Sequence, residues 1–496
     1  MRTWELVLPL ERAHGPALFL QIARAVAEHI RAGRLRPGDP LPGTRGLAES
    51  LGVHRNTVIA AFRELEAEGW IRTSRARGTF VSSALPDPTP QEIAPRGGRN
   101  GGPATANGAA RAARRFALRP GPERWTAAII PAGTRALVGG KPDLALVPMT
   151  SLARAYRRTL QRNGTTVMGY GDPRGHERLR AAIAAMLAST RGLPATADDV
   201  IVTRGSQMAV FLIARALFGP GDVVAVESFG YRPAWEALKG SGARLLPIPV
   251  DESGMQVSEL AKVAAKEKVR AVYLTPHHQF PTTVSLSPGR RLELLQVVRR
   301  RDMTVIEDDY DHEFHYEGRP ILPLASVEPG GRIIYVGTLS KVLAPGVRAG
   351  YVVAPPEVVE RLATHRSFID ITGDHAIEAA LAELFEDGEV QRHVRRARRV
   401  YMARRDTLVQ ALRKELGDRV SFEIPTGGMA IWCRVHGGVD VDAWLARAAR
   451  AGVWFQTAKL FTFDGRPRPC VRLGFAPLPE KEIVAAVKIM AKVMER

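Results

Sequence analysis

Apolar positions in the first eighty residues follow a helical spacing that is interrupted by turns. One stripe has apolar residues four positions apart: Leu18, Ile22, Val26 and Ile30. This stripe ends at Gly33, a turn rich in Pro and Gly follows, and a short helical pattern closes at Gly52. Helical spacing returns over residues 53–69, and residues 70–82 predict two short strands around a basic turn. The order of helix, short helix, helix and β-hairpin predicts a winged helix-turn-helix over residues 1–81.

Residues 82–135 lose this periodicity. Pro, Gly, Ala and Arg dominate the stretch, and basic residues outnumber acidic ones. Such a composition predicts a flexible basic linker, and about 45 residues of random coil span roughly 35–40 Å root mean square. That reach allows the N-terminal domain to dock on a neighbouring molecule.

From residue 136 to residue 496, short apolar runs alternate with helical patterns. The runs are rich in Val and Ile and lie at five places: 199–206, 222–228, 271–276, 302–309 and 332–338. This alternation predicts an α/β domain with a mainly parallel sheet that is covered on both faces. Because sites in such sheets gather beyond the carboxyl ends of the strands, the residues after each run are the candidates for chemistry.

Composition and charge narrow the class of protein. The chain has 496 residues, of which 45% are hydrophobic and 24% charged, and this suits two or three globular domains. No apolar run reaches membrane-spanning length, the first residues lack a signal-peptide pattern, and two cysteines cannot form a disulfide framework. A cytoplasmic location away from membranes is therefore expected. The net charge of +19 favours an acidic partner such as nucleic acid, although an Arg-rich composition alone is weak evidence.

The first three apolar runs are followed by polar and aromatic side chains. Ser206 and Gln207 open a helix after the first run, and the backbone N–H groups of a helix N-terminus suit a phosphate. Tyr231 follows the second run and offers an aromatic face. His277 and His278 follow the third run. Because adjacent histidines point different ways, we expect them to be structural or supporting residues and predict no metal site.

The last two runs end in acidic residues and a lysine, which are the best candidates for a chemical role. Five acidic residues lie between Glu307 and Glu313, which suggests either a divalent metal or one carboxylate that faces a cationic ring nitrogen. Lys341 follows the fifth run. A phosphate cradle, an aromatic plate, a carboxylate–tyrosine pair and a lysine together fit pyridoxal 5′-phosphate. The lysine forms a Schiff base with its aldehyde, and the carboxylate keeps the pyridine nitrogen protonated.

The motifs at these positions resemble those of one known family, in the same order. They are "TRGSQ", "TPHHQFPTT", "IEDDYDHEFHY", "GTLSKVLAPGVRAGY", "RHVRRARRVYMARRD" and "RLGFA". Residues 136–496 resemble a fold-type I aminotransferase, and residues 16–81 resemble a GntR-type winged helix. Their fusion resembles the MocR subfamily of bacterial transcriptional regulators over nearly the whole chain. The resemblance implies a cytoplasmic, domain-swapped homodimer in which the winged helix of one chain packs against the aminotransferase-like domain of the other.

The resemblance also implies a role for each residue of the site. Lys341 would form the Schiff base, Asp308 would face the pyridine nitrogen and Tyr310 the ring oxygen. Tyr231 would stack on the ring. Arg472 would grip the carboxylate of an amino-acid ligand, for which a bidentate guanidinium is well suited. The phosphate would be held by Ser206, Gln207, Thr338, Arg348 and, from the other subunit, Tyr170.

This chain departs from the family pattern in the loop after the third run. Thr283 stands where the family carries glycine. Because a residue with a Cβ does not easily take a positive φ, we expect the loop to run differently here. We expect this change in the loop to affect which ligand binds more than it affects cofactor binding.

The N-terminal domain carries candidate DNA contacts on its second helix-turn-helix helix and beyond. Val58 and Phe62 are expected to face the core, while the residues that open this helix can reach bases or phosphates. By similarity to GntR domains, a residue of the preceding helix would contact phosphate and two residues would form the tip of the wing. The predicted DNA-binding set is Arg45, Arg55, Asn56, Thr57, Arg77 and Gly78.

The two domains together predict a transcriptional regulator that binds a double-stranded DNA operator. It would sense a small amino compound, or pyridoxal phosphate itself, through the Schiff base at Lys341, and the ligand would shift the balance between two dimer conformations. The alternative is an active aminotransferase with an appended DNA-binding domain, since fold does not settle function. A regulator with a vestigial cofactor site is disfavoured because the lysine, carboxylate and tyrosine are intact.

Overall fold

A computed structural model of the chain describes five stretches: 16–74, 78–84, 130–318, 321–328 and 331–494. The chain divides into two compact units, an N-terminal unit (1–119) and a C-terminal unit (120–496), and each has its own hydrophobic core. Most of the predicted linker, residues 85–129, lies outside the described residues, whereas Arg135 already begins a strand of the C-terminal unit. Within the described stretches, no helix combines the length and the apolar character that crossing a bilayer requires.

The N-terminal unit consists of three helices and a hairpin. Its elements are, in chain order, α1 (Leu18–Arg31), α2 (Thr44–Leu51), α3 (Arg55–Ala67), β1 (Ile71–Ser74) and β2 (Gly78–Val81). Ile22, Val26 and Ile30 of the predicted α1 stripe share a buried core with Val58 and Phe62 of α3. Burial of one apolar face of each helix removes that surface from water and stabilises this small unit. The predicted winged helix-turn-helix is confirmed.

The C-terminal unit contains the remaining strands and helices. Its strands are β3 (Arg135–Leu137), β4 (Val200–Thr203), β5 (Val223–Glu227), β6 (Arg244–Ile248), β7 (Val250–Asp251), β8 (Gly254–Met255), β9 (Ala271–Leu274), β10 (Thr304–Asp309), β11 (Ile333–Thr338), β12 (Gly350–Val353), β13 (Val420–Ser421), β14 (Ala430–Val435), β15 (Val453–Thr457) and β16 (Cys470–Gly474). Its helices are α4 (Met149–Val167), α5 (Glu177–Arg191), α6 (Ser206–Leu217), α7 (Arg232–Gly240), α8 (Val257–Lys266), α9 (Pro288–Arg301), α10 (Pro356–Ser367), α11 (His375–Glu386), α12 (Glu389–Glu415), α13 (Val441–Arg450) and α14 (Glu480–Met494).

Seven of these strands form a central sheet in the order β4-β12-β11-β10-β9-β5-β6. All of them run parallel except β12, which pairs antiparallel with both β11 and β4. Alternate residues of a strand enter different cores: Ile306 packs with α6, α7 and α10, whereas Val305 packs with α8 and α9 on the opposite face. All five predicted apolar runs are strands of this sheet, so the predicted α/β fold with a mainly parallel sheet is confirmed.

A second sheet of five strands follows the order β13-β14-β16-β15-β3. Only β3 and β15 pair in parallel, and the other neighbours are antiparallel. Its core joins Tyr401 of α12, Trp444 of α13 and Met490 of α14. This sheet matters for the site because its strand β16 carries Arg472.

Candidate functional site

The carboxyl ends of β10 and β11 lie side by side. In their parallel register Asp308 pairs with Val336 and Asp309 pairs with Gly337. Lys341 lies in the turn three residues beyond Thr338, where β11 ends. The lysine and the carboxylates therefore meet at one edge of the central sheet, which is where parallel α/β folds place their chemistry.

The environment of Lys341 makes its amine easier to deprotonate than that of an ordinary lysine. Its pKa is lowered to about 8, chiefly because burial penalises the charged form and then because the positive charge of Arg472 lies nearby. Asp311 and Asp308 oppose this shift. Gly140 lies beside the amine, since a Cβ built on it would be 3.7 Å from Nζ, an ordinary contact distance. A lysine with a lowered pKa is suited to nucleophilic attack on a carbonyl.

The lowered pKa of Lys341 predicts the pH dependence of cofactor uptake. Only the neutral amine attacks an aldehyde, so the rate of uptake by the apoprotein should rise about tenfold between pH 7 and pH 9 and then level off. Stopped-flow absorption after mixing with pyridoxal phosphate measures this rate. Nα-acetyl-lysine in the same buffers reports the pH dependence of the cofactor itself. A rate that climbs beyond pH 9 in parallel with this control would contradict the lowered pKa.

Asp308 has one carboxylate oxygen without a partner. Its Oδ2 accepts a hydrogen bond of 2.6 Å from the hydroxyl of Tyr273, whereas the buried Oδ1 accepts none. Burial, and next the neighbouring Asp309, raise the pKa of Asp308 to about 6, and Tyr273 and Lys341 hold it from rising further. A buried acceptor without a donor is costly unless a ligand completes it. This oxygen therefore fits the protonated ring nitrogen of pyridoxal phosphate.

Tyr273 is a functional residue that sequence reasoning missed. It lies on β9 next to β10, and it is fully buried. Its hydroxyl fixes the orientation of the Asp308 carboxylate. The available signal was that Tyr273 is the one aromatic residue in the apolar run at 271–276, where a polar hydroxyl inside a buried strand needs a partner.

Arg472 presents a buried guanidinium with unused donors. Its Nε donates to the carbonyl oxygen of Pro281 at 3.2 Å, while neither terminal nitrogen makes a hydrogen bond. The guanidinium carbon lies 4.7 Å from the centre of the Phe280 ring, and burial lowers the pKa of Arg472. A Cβ on Gly139 would collide with this guanidinium. Two unpaired donors on a buried, planar fork suit a carboxylate.

Tyr310 lies close to Arg472 and is also unpaired. Its buried hydroxyl makes no hydrogen bond, although Arg472 is close enough to lower the pKa of this tyrosine. Burial, the larger effect, and the charge of Asp311 raise that pKa well above its usual value. The hydroxyl is therefore protonated near neutral pH and can donate a hydrogen bond to an oxygen of a bound ring.

The residues predicted to hold the phosphate lie around the start of α6. Gly205 precedes this helix with a φ of 80°, and a Cβ there would lie 3.3 Å from the guanidinium of Arg348. Arg348 also donates to the carbonyl oxygen of Arg204 at 2.6 Å. Gly350 of β12 approaches the same loop so closely that a Cβ would lie 2.8 Å from the backbone nitrogen of Ser206. Backbone N–H groups and a guanidinium thus share one corner, as an anion requires.

Thr338 and Gln207 make different hydrogen bonds in this corner. The hydroxyl of Thr338 accepts a hydrogen bond of 3.1 Å from the backbone N–H of Ser340, in the turn that carries Lys341. The side-chain nitrogen of Gln207 donates to the carbonyl oxygen of Pro233 at 2.9 Å, which ties α6 to α7. Its side-chain oxygen has no partner. Gln207 therefore offers the corner its backbone N–H rather than its amide nitrogen.

The two predicted tyrosines differ in their surroundings. Tyr231 caps the start of α7 and packs edge to face against Phe280, with ring centres 5.7 Å apart. Burial raises its pKa, and Asp308 and Arg348 both lie close enough to shift it. Tyr170 is 86% exposed, so a single chain does not enclose it among the other site residues.

Thr283 corrects one expectation from the sequence. It adopts a φ of 66°, so its Cβ does not exclude the left-handed conformation that glycine takes readily, and the expectation that it would avoid this conformation is wrong. Its N–H donates to the carbonyl oxygen of Gln279 at 2.6 Å. Gln279 in turn donates from its side chain to the carbonyl oxygen of Phe229. These hydrogen bonds hold the loop closed around the unusual backbone angle.

The N-terminal unit presents its predicted DNA contacts on one surface. Arg55 and Asn56 are exposed at the start of α3, with Thr57 half-buried beside them, and Arg45 is exposed at the start of α2. The Nε of Arg55 donates to the hydroxyl of Thr44 at 3.3 Å, which brings the two helix starts together. The structure describes only part of the wing. Gly78 opens β2 with a φ of 98°, and Arg77 lies outside the described residues.

Comparison with known proteins connects both units to described families. Residues 18–81 match the bacterial regulatory proteins of the gntR family, and residues 140–489 match aminotransferase class I and II. The chain is 32% identical over 479 residues to the "Probable rhizopine catabolism regulatory protein MocR" of Rhizobium meliloti, covering 96% of this chain and 93% of that protein. It is 29% identical over 484 residues to the regulator TauR of Rhodobacter capsulatus, covering 96% of each.

Solved structures give the same result for the C-terminal unit. A multiple substrate aminotransferase from Thermococcus profundus superposes with a TM-score of 0.69 at 28% identity, over 74% of this chain and 92% of that chain. An α-aminoadipate aminotransferase from Thermus thermophilus, complexed with N-(5′-phosphopyridoxyl)-L-leucine, gives the same TM-score and identity over 73% and 92%. The chain therefore belongs to the MocR subfamily of GntR-type transcriptional regulators, which join a DNA-binding winged helix to a pyridoxal-phosphate-dependent, aminotransferase-like domain.

Proposed function

We propose that this regulator acts in the cytoplasm as a homodimer and senses a small amino compound, or pyridoxal phosphate itself, at Lys341. The observation that carries the proposal is one buried site that combines the lowered pKa of Lys341 with the two unpaired terminal nitrogens of Arg472. Lys341 would hold the aldehyde of the cofactor, on which the amino group of a ligand can replace it, and the guanidinium suits a carboxylate, so an amino acid has the matching chemistry. A ligand that binds one dimer conformation more tightly shifts the protein towards that conformation. The DNA affinity then changes by no more than the difference in the ligand's binding free energy between the two conformations.

The residues around Lys341 have separable roles in this proposal. Pyridoxal phosphate, when bound, supplies an aldehyde that amines capture and a ring that withdraws electrons. Asp308 would keep the ring nitrogen protonated, Tyr310 would donate to the ring oxygen, and Tyr231 would stack on the ring. Four residues would bind the phosphate through their backbone or side-chain donors: Ser206, Gln207, Thr338 and Arg348. The geometry that supports these roles is the unpaired state of the Asp308 oxygen and of the Tyr310 hydroxyl.

An exposed apolar patch supports the homodimer. Met168 is 73% exposed, and Tyr170 and Phe368 are each 86% exposed. The segments that carry them are neighbours, because the ring of His375 lies 3.2 Å from the carbonyl oxygen of Asp172. Apolar patches of this kind mark protein–protein interfaces. A second copy of the chain would cover this patch and bring Tyr170 to the phosphate of the other subunit, and the long linker would allow the winged helices to exchange.

A working aminotransferase is the second candidate function. It is favoured by the intact set of Lys341, Asp308 and Tyr310 and by the aminotransferase structures that this chain resembles. Incubation of the protein with amino acids and a 2-oxo acid acceptor, followed by chromatography of the products, separates the two candidates. Continuous product formation over many cofactor equivalents supports the enzyme. A single equivalent of product, or none, supports the regulator.

The start of α3 provides the test of DNA binding. We expect Arg55→Ala to weaken binding to the DNA upstream of the gene by roughly 5- to 150-fold, since one lost base or phosphate contact costs about 1–3 kcal/mol. A gel-shift titration at fixed salt measures the change. Arg63→Ala is the matched control, because Arg63 is an exposed arginine two turns further along the same helix. Equal losses in both variants, or loss of the cofactor absorption band with Arg55→Ala, would contradict this role.

A further inference from the structure

Four histidines cluster beside the carboxyl ends of β9 and β10. His277 and His278 follow β9, and His312 and His315 follow β10. The ring of His277 lies 4.3 Å from that of His278, 4.4 Å from that of His312 and 6.1 Å from that of His315, measured between centres. Three of the four are buried and His315 is half-buried. The sequence could place the adjacent pair but not the two rings from the other loop.

Most ring nitrogens in this cluster have no hydrogen-bond partner. Nε2 of His277 and both nitrogens of His312 and His315 are buried and unpaired. A buried imidazole normally satisfies its nitrogens with backbone, side chains or water, so five unpaired atoms in one place need an explanation. Ligand atoms of His277, His278 and His315 all lie within 4.8 Å of one another. That spacing allows them to converge on a single ion after small side-chain movements.

A buried carboxylate holds one ring of the cluster in place. Nδ1 of His278 lies 2.8 Å from Oδ1 of Asp311, and both side chains are buried. This contact fixes the ring of His278 and engages its Nδ1, so Nε2 is the remaining ring nitrogen. Histidines that bind metals almost always donate their other ring N–H to a carboxylate or carbonyl, and such a partner raises the basicity of the ligand nitrogen. Asp309 also lies close to His312, with Oδ2 3.1 Å from Nδ1, but no hydrogen bond joins these two side chains.

A cavity lies between part of this cluster and α12. Its volume is about 240 Å³, and His312 and His315 form part of its wall. The space is large enough for an ion and for water molecules that complete its coordination. A metal site needs both an entry path and an open position when the protein supplies only three ligands.

We propose that His277, His278 and His315 bind one divalent transition-metal ion of the zinc class. Three neutral imidazoles are the ligand set that Zn²⁺, Co²⁺, Ni²⁺ and Cu²⁺ prefer over hard cations such as Mg²⁺. The ion joins the loop after β9 to the loop after β10, and the second of these loops begins next to Asp308 and Tyr310. Metal binding at this site therefore stiffens the segment that carries two residues of the cofactor site.

Titration of the full-length, metal-free protein with Zn²⁺ tests the proposal. Isothermal calorimetry should give one ion per chain, and Co²⁺ should produce the intense visible bands of a four- or five-coordinate nitrogen site. Asp311→Asn should weaken the Zn²⁺ affinity about 10- to 100-fold, as loss of a supporting carboxylate does. His315→Ala should weaken it at least as much. The exposed His436, replaced by alanine, is the control and should leave the affinity unchanged.

The wild-type protein alone can overturn the proposal. Binding of less than one-tenth of an ion per chain, or a weak octahedral Co²⁺ spectrum, would show that no such site forms. Wild-type affinity in His315→Ala would show that the ion binds elsewhere. If the circular dichroism of His315→Ala shows that this variant is misfolded, the cobalt spectrum of the wild type and the affinity of Asp311→Asn decide the question.

Discussion

Lys341→Ala is expected to abolish covalent capture of pyridoxal phosphate by this protein. The alanine variant lacks the amine whose pKa is lowered to about 8 at the carboxyl edge of the central sheet. Borohydride reduction of the wild type should attach the cofactor irreversibly, and peptide mass spectrometry should find the label on Lys341. The variant should show no visible absorption band after gel filtration and no labelled peptide. Its operator affinity should no longer respond to amino compounds.

Lys141→Ala is the matched control for this experiment. Lys141 is an exposed lysine that lies close enough to lower the pKa of Lys341, so it shares the electrostatic surroundings of the site. We expect this control to retain the absorption band and the label on Lys341. A Lys341→Ala protein that folds and is labelled elsewhere at the wild-type yield would contradict the assignment.

The positions of Lys341 and Asp308 could be predicted because they depend on local order alone. Five apolar runs predict five strands, and parallel strands carry their carboxyl ends to the same edge of a sheet. A residue just beyond such a run must lie at that edge, whichever strands are neighbours. The parallel register that pairs Asp308 with Val336 agrees with this expectation.

The contacts that complete the site could not be predicted in the same way. Phe280 lies under Arg472 only because a loop after β9 meets a strand of the second sheet. Tyr273 reaches Asp308 only because β9 and β10 are adjacent and in register. These contacts depend on tertiary distances between segments far apart in the chain, and no periodicity in the sequence encodes such distances. The four-histidine cluster escaped sequence reasoning for the same reason.

The N-terminal unit was easier to predict than the C-terminal unit. Its core consists of helical stripes whose partners lie within about fifty residues, so spacing alone identifies Ile22, Val26 and Val58 as buried. The start of α3 is marked by a local contact as well. His54 precedes α3, and its ring accepts a hydrogen bond of 3.2 Å from the backbone N–H of Asn56. The wing tip is the exception, since Arg77 lies outside the described residues.

Arg472→Gln is expected to separate the recognition of the effector from the binding of the cofactor. The guanidinium of Arg472 is fully buried and its terminal nitrogens are unpaired, so an incoming carboxylate would gain a bidentate, charge-assisted interaction. Loss of one partner of such a buried pair costs about 2–5 kcal/mol, or roughly 30- to 5,000-fold in affinity. The spectral change induced by amino acids should need that much more ligand, as an absorption titration of the cofactor band will show.

Amines without a carboxylate provide the decisive comparison for Arg472→Gln. They would react with the cofactor aldehyde in the same way and release the amine of Lys341, but they cannot use the guanidinium, so their affinity should change far less than that of amino acids. The pKa of Lys341 should also rise, because after burial Arg472 is the main cause that lowers it. Arg434→Gln, at an exposed arginine on the neighbouring strand β14, is the control. Equal losses for amino acids and for simple amines would mean that Arg472 supports the fold of the site, and that the effector is recognised without its carboxylate.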